Sequence, residues 1–130
     1  LGHVGIYASL LEAAGLSADR EAELFDLLQR KAVPELDVWL GKCLENADIA
    51  LMIRALVGFA GDASVLDRAR EVFAEAPAEV ELALDELQAV VSALSESFPD
   101  LELYLDLSEL RGYHYHTGIV FAAYDQGRTL

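Results

Sequence analysis

Over the first 98 residues, apolar side chains recur every three or four positions, the spacing of one helix face, and the pattern predicts six helices. In the first, 3–14, Val4, Tyr7, Leu10, Leu11 and Ala14 share a face and Gly15 supplies the stop; Gly2 and Gly5 leave extended chain equally compatible with its front end. Ser17 caps the second, and Asp19, Glu21 and Glu23 lie in or near its first turn, where a helix N-terminus favours negative charge. Leu24, Phe25 and Leu28 form its apolar stripe, and Arg30 and Lys31 lie at the opposite end. Pro34 opens a short third helix, 35–44, with Trp39, Leu40 and Leu44 inward. The fourth, 47–59, stacks Ile49, Met52, Ile53 and Leu56 before Gly58 and Gly61 break it. Asp62 or Ser64 starts the fifth, which carries Leu66, Ala69 and Phe73. Pro77 fits the first turn of the sixth, where no backbone donor is lost, and Val80, Leu84, Leu87, Val91 and Leu94 then trace one face.

At Pro99 the period changes to two. Leu101, Leu103, Leu105 and Leu107 alternate with Glu102, Tyr104 and Asp106, as in a strand buried on one side. A polar link, 108–112, leads to a run at 113–124 rich in aromatic and β-branched residues, which reads as a second strand joined to the first as a hairpin or near-neighbour pair. Gly118 marks a bulge or a close backbone approach by a ligand, and 125–127 form a turn. Two strands are too few for an independent sheet. The expectation is therefore an α+β chain: a helical region, 1–98, attached to a two-stranded part, 99–130, of a larger sheet. Leu rather than Met at position 1 points to a cut-out from a longer protein.

Composition narrows the possible partners. With 130 residues and 54% hydrophobic content, the chain can form a compact core. It holds nine Lys and Arg against 23 Asp and Glu, a net charge of −14, and between residues 71 and 110 there are eleven acids and no basic residue. Nucleic-acid surfaces gain affinity by neutralising phosphates, so this stretch argues against RNA or DNA contact. Glu79, Glu81, Asp85, Glu86 and Gln88 lie mostly off the apolar face of the sixth helix and read as a solvated face. A competing reading makes the acids at 71–86 a dock for a basic partner. No signal peptide is visible. The most apolar window, 49–60, contains Arg54 and is shorter than the roughly 20 residues needed to span a bilayer, so a cytoplasmic protein without membrane contact is expected. The lone Cys43 has no partner for a disulfide or a thiolate zinc site.

The chemistry concentrates at 110–118, Leu-Arg-Gly-Tyr-His-Tyr-His-Thr-Gly. Arg111 is one of two basic residues after Arg70, and its guanidinium fork matches a carboxylate or phosphate. Alternation places Tyr113, Tyr115 and Thr117 on one strand face and His114 and His116 on the other, and at most one face lines a given pocket. The two His at i and i+2 have no Asp, Glu or Cys at ligand spacing beside them, so neither a metal nor a cofactor is expected. Ser108, His116 and Asp106 could be drawn as a triad, but no nucleophile elbow or oxyanion glycine pattern accompanies them. His3 reads as a surface or satisfied histidine.

Arg111, Gly112, Tyr115, Thr117, Val120 and Phe121 resemble the histidine-specific motif of histidyl-tRNA synthetases, which runs Arg-Gly-Leu-Asp-Tyr-Tyr-Thr and, after a short gap, Val-Phe. Tyr113 replaces the Leu of that motif, His114 the Asp, and His116 the second Tyr. The version here is similar to the form found in the regulatory subunit of ATP phosphoribosyltransferase, a synthetase paralogue, and Leu1-Gly2-His3-Val4-Gly5 resembles that family's lead into its helical insertion. The resemblance implies a fragment of a class II aminoacyl-tRNA synthetase-like catalytic domain, a helical insertion followed by a β-hairpin of an antiparallel sheet, with the family's Gly-Gly-Arg-Tyr-Asp segment beginning just after Leu130. It further implies a non-catalytic regulatory subunit acting in the first step of histidine biosynthesis. That subunit pairs with the short-form catalytic subunit in a hetero-octamer and takes part in feedback inhibition by histidine. Arg111, Tyr113, Tyr115, His116 and Thr117 are the residues expected to bind histidine or an anion. In the synthetases the matching Arg supports the activated phosphate and the second Tyr helps read the imidazole. The changes at His114 and His116 therefore weigh against aminoacylation, and a divergent histidyl-tRNA synthetase is the alternative.

Overall fold

The computed structural model describes residues 1–110 and 113, together with the backbone pairing of residues 119–120, 124–125 and 128–129. Six helices are found among the described residues: α1 (Val4–Ala14), α2 (Ala18–Arg30), α3 (Val33–Cys43), α4 (Ala47–Leu56), α5 (Ser64–Val72) and α6 (Ala78–Ser97). Each answers to one expected from the apolar period. Their ends lie within a few residues of those expected. The Ser17 hydroxyl accepts the Arg20 N–H at 3.3 Å, and the Asn46 side chain accepts those of Asp48 and Ile49, so α2 and α4 start where their caps stand. Pro77 sits at the N-cap of α6, just ahead of the first turn, while α4 stops at Leu56, before its expected end at Phe59.

The α1 helix is buried on nearly every side, with Val4, Ile6, Tyr7, Leu10 and Leu11 in the core, and it packs against α4 and α6. A helix that is apolar around most of its circumference belongs in the interior, which is why its sequence shows little amphipathic contrast. The remaining helices each contribute one stripe: Leu24 and Leu28, Leu36 and Leu40, Ile53 and Leu56, Leu66 and Ala69, then Val80, Leu84 and Leu87. The Trp39 indole donates to Glu23 at 2.8 Å and ties α3 to α2. The acidic side of α6 is solvated as expected; within it Asp85 pairs with Arg70 and Glu86 with His3.

Two helix ends use the left-handed backbone region. Gly15 closes α1 at φ 64°. Lys31 closes α2 at φ 52° in a Schellman arrangement, its N–H bonded to the Leu28 carbonyl and the Ala32 N–H to that of Leu27. Glycine is the favoured residue in that region; a side chain there costs about 1–2 kcal/mol.

The strands depart from expectation. Among the described residues, three short antiparallel ladders form: β1 (Gly2–His3) with β4 (Ile119–Val120), β2 (Ala60–Gly61) with β3 (Leu105–Asp106), and β5 (Tyr124–Asp125) with β6 (Arg128–Thr129). Among the described residues, the expected pairing of the 101–107 run with the 113–124 run is corrected: β3 pairs with Ala60–Gly61, and β4 with Gly2–His3. The Asp106 N–H also reaches the Leu1 carbonyl at 2.8 Å, and the Leu107 N–H that of Phe59 at 3.0 Å. The segment is thus held between two backbone stretches of the helical part. The alternation was read correctly where those stretches cover it, since Leu105 and Leu107 are fully buried, but Leu101 lies half exposed ahead of them. No described helix is long and apolar enough to cross a membrane.

Candidate functional site

Of the residues expected to bind a ligand, Arg111, Tyr115, His116 and Thr117 lie outside the described residues, as do His114 and Gly118. Tyr113 and the approach to the motif are described. The approach is a succession of turns, each with a local chemical cause. Asp106 Oδ1 accepts from the Ser108 N–H at 3.0 Å and from its hydroxyl at 2.8 Å, the closed ring by which Asp nucleates a turn. The Asp106 carbonyl accepts from the Glu109 N–H at 3.2 Å, and the Leu110 carbonyl from the Tyr113 N–H at 3.0 Å. Between these turns the side chains of Leu107 and Leu110 are sunk in the core.

The second Asp106 oxygen, Oδ2, accepts from Lys31 Nζ at 2.8 Å, and the same ammonium reaches Ser108 Oγ at 2.5 Å. Burial by itself would raise the Asp106 carboxyl, but the hydrogen bonds from Lys31 and Ser108 outweigh it and hold the group below the usual carboxylate range. The Ser108 hydroxyl is thereby committed to Asp106 and Lys31, a structural arrangement rather than that of a nucleophile. Downstream, the Tyr113 ring packs edge-on to Tyr7 with centroids 5.0 Å apart and lies 6.0 Å from Phe25. Burial pushes both phenols, Tyr7 and Tyr113, above their ordinary value, and the Glu21 carboxylate adds to the effect. Both stay neutral hydrogen-bonding groups at physiological pH.

The sequence reading missed Lys31. Its position at a helix end suggested only a favourable charge for the α2 C-terminus, and no local pattern links it to residues some 75 positions away. The Asp106–Ser108 turn did have a local signal, Asp two residues before Ser, which was absorbed into the strand and its link. Of the two readings of His3, surface or satisfied, the second holds, since the ring is buried: Nδ1 accepts the Gly5 N–H at 3.0 Å, capping α1, and Nε2 lies 2.7 Å from Glu86. No cluster of three or more His, Cys, Asp or Glu able to hold a metal occurs among the described residues. Two shallow clefts, of about 250 Å³ beside Glu12 and Glu79 and about 280 Å³ beside Asp48 and Glu75, include no residue of the 105–113 segment.

The histidyl-tRNA synthetase family model matches residues 1–130. Among curated proteins, the chain is similar to the ATP phosphoribosyltransferase regulatory subunits of Teredinibacter turnerae (50% identical), Azotobacter vinelandii (56%) and Pseudomonas fluorescens strain Pf0-1 (55%). Each match runs over 127 residues, 98% of this chain and 32% of the relative, so the chain spans about a third of the length of these relatives.

Proposed function

Because the chain belongs to the histidyl-tRNA synthetase family, we propose that the protein carrying it is a regulatory subunit of ATP phosphoribosyltransferase, without aminoacylation activity of its own. The observation that carries this reading is the 50–56% identity, over nearly the whole chain, to relatives bearing that name. In this reading the chain is the helical insertion and adjoining sheet segment of a class II synthetase-like domain. The protein works in the cytoplasm on the first step of histidine biosynthesis, activating the short-form catalytic subunit within a hetero-octamer and relaying feedback inhibition by histidine.

Arg111 holds the carboxylate of histidine or a phosphate, because a guanidinium offers two parallel donors to either group. Tyr113, Tyr115, His116 and Thr117 supply the lining. The packing of Tyr113 on Tyr7 and Phe25 supports this arrangement by securing one side of the motif to the helical core. Calorimetry of the whole protein with histidine and with its catalytic partner tests the proposal. Arg111→Ala is expected to weaken histidine binding by roughly 2 kcal/mol, the scale of a lost charged hydrogen-bond pair. Unchanged histidine affinity and unchanged inhibition in that variant would remove the role assigned to Arg111.

The description of the matching family model favours a second reading, a divergent histidyl-tRNA synthetase. Histidine-dependent ATP–pyrophosphate exchange by the whole protein separates the two: measurable exchange replaces the regulatory reading, and its absence is the expected result.

A further inference from the structure

The α2 helix touches the chain on both sides of Arg111 in sequence. Its C-cap residue, Lys31, bridges Asp106 and Ser108 on the upstream side, at 2.8 and 2.5 Å, while Phe25 meets the Tyr113 ring on the downstream side. Arg111 and Gly112 lie between these anchors in sequence. Lys31 is, among the described residues, the non-glycine with a positive φ, at a Schellman position that favours glycine. The backbone there gains nothing from a lysine; what the side chain adds is its ammonium, placed on a largely buried carboxylate and hydroxyl.

We propose that Lys31 is a positioning residue for the histidine site, fixing through Asp106 and Ser108 the start of the segment that delivers Arg111. The proposal rests on the reading of Arg111 given above. One helix anchors residues 106–108 and Tyr113, on either side of Arg111 in sequence, and a binding group is most precise when the residues around it are locked. Lys31 touches no ligand in this scheme. Its effect on affinity is exerted by restricting the path of residues 106–110.

Lys31→Gly tests this directly, because glycine suits the left-handed backbone and keeps the Schellman hydrogen bonds while removing the ammonium. In the whole protein, histidine affinity measured by calorimetry is expected to fall roughly two- to thirtyfold, the range for substitutions that act on a site from outside it. The thermal midpoint should be held or raised. Lys31→Arg, which keeps a cation at the same place, should restore most of the affinity, and the amides of residues 107–110 should exchange faster in Lys31→Gly alone. Wild-type affinity in Lys31→Gly alongside weakened binding in Arg111→Ala would overturn the positioning role and leave the site intact. Undiminished binding in Arg111→Ala would instead overturn the reading of the site, and the role of Lys31 toward histidine with it.

Discussion

The helical body and the 105–113 segment are built on opposite principles. Each helix from α1 to α6 satisfies its backbone within itself and needs its neighbours only to cover an apolar stripe. The segment's own backbone bonding is confined to two turn hydrogen bonds, Glu109 to Asp106 and Tyr113 to Leu110; β3 is two residues long, and its partners come from Leu1, Phe59 and β2. It is held instead by three buried leucines, one aspartate-centred turn and a lysine from another element. Such a segment takes its geometry from the helical body, so damage to the body should unfold the molecule, whereas damage to the segment should disturb its own turns alone.

The largest expected effect comes from the body. Leu10→Ala removes a fully buried side chain at the centre of α1 and should cost about 2–5 kcal/mol in urea denaturation of the whole protein. A loss well under this range would mean that α1 is not the centre of the packing. Gly2→Ala strikes the junction between body and segment. A Cβ there would stand 2.7 Å from the Asp106 carbonyl oxygen and 3.2 Å from Glu109 Cβ, and a backbone atom cannot swing aside. An overpacking cost of about 1–3 kcal/mol is expected, with faster hydrogen exchange concentrated at residues 105–110. Exchange that rises equally across α1 to α6 would show that the two regions are not separable.

The smallest effect belongs to Asp106→Asn, about 1 kcal/mol at neutral pH, because the Lys31 partner is half exposed. Its signature lies in pH. The Asp106 carboxyl is held below its ordinary value in the fold, so its contribution is complete above the unfolded carboxylate pKa of about 3.9 and disappears as pH falls through the lowered folded value. The asparagine variant should therefore lose less stability than the wild type on acidification below about pH 4. Parallel acid limbs for the two proteins would remove Asp106 as a contributor.

The difference between the regions also governs what could be read from the chain. The face of α6 was visible because Val80, Leu84, Leu87 and Val91 repeat at the helical interval, and all four are buried. The caps at Ser17 and Asn46 and the stop at Gly15 are local chemistry, one of them noticed only in the structure. The partner of β3 was not visible. Alternation in 101–107 identified which residues point inward at Leu105 and Leu107, yet Ala60–Gly61 carries no strand signal of its own and lies in the short link between α4 and α5. For the candidate site, the motif residues are proposed from their chemistry and resemblance, while the contacts of Lys31 with Asp106 and Ser108 emerged only from the fold.

The sequence by itself determined the six helices, their inward faces, the acidic solvated side and the position of the histidine-type motif, since each depends on intervals of a few residues. Tertiary structure alone decided that α1 is the interior helix, that β3 pairs with β2 and β4 with β1, and that Lys31 closes on Asp106 and Ser108. Those contacts join positions 44 to 118 residues apart. Their formation depends on the enthalpy of packing and hydrogen bonding exceeding the entropy lost in closing long loops, and no local pattern encodes that balance.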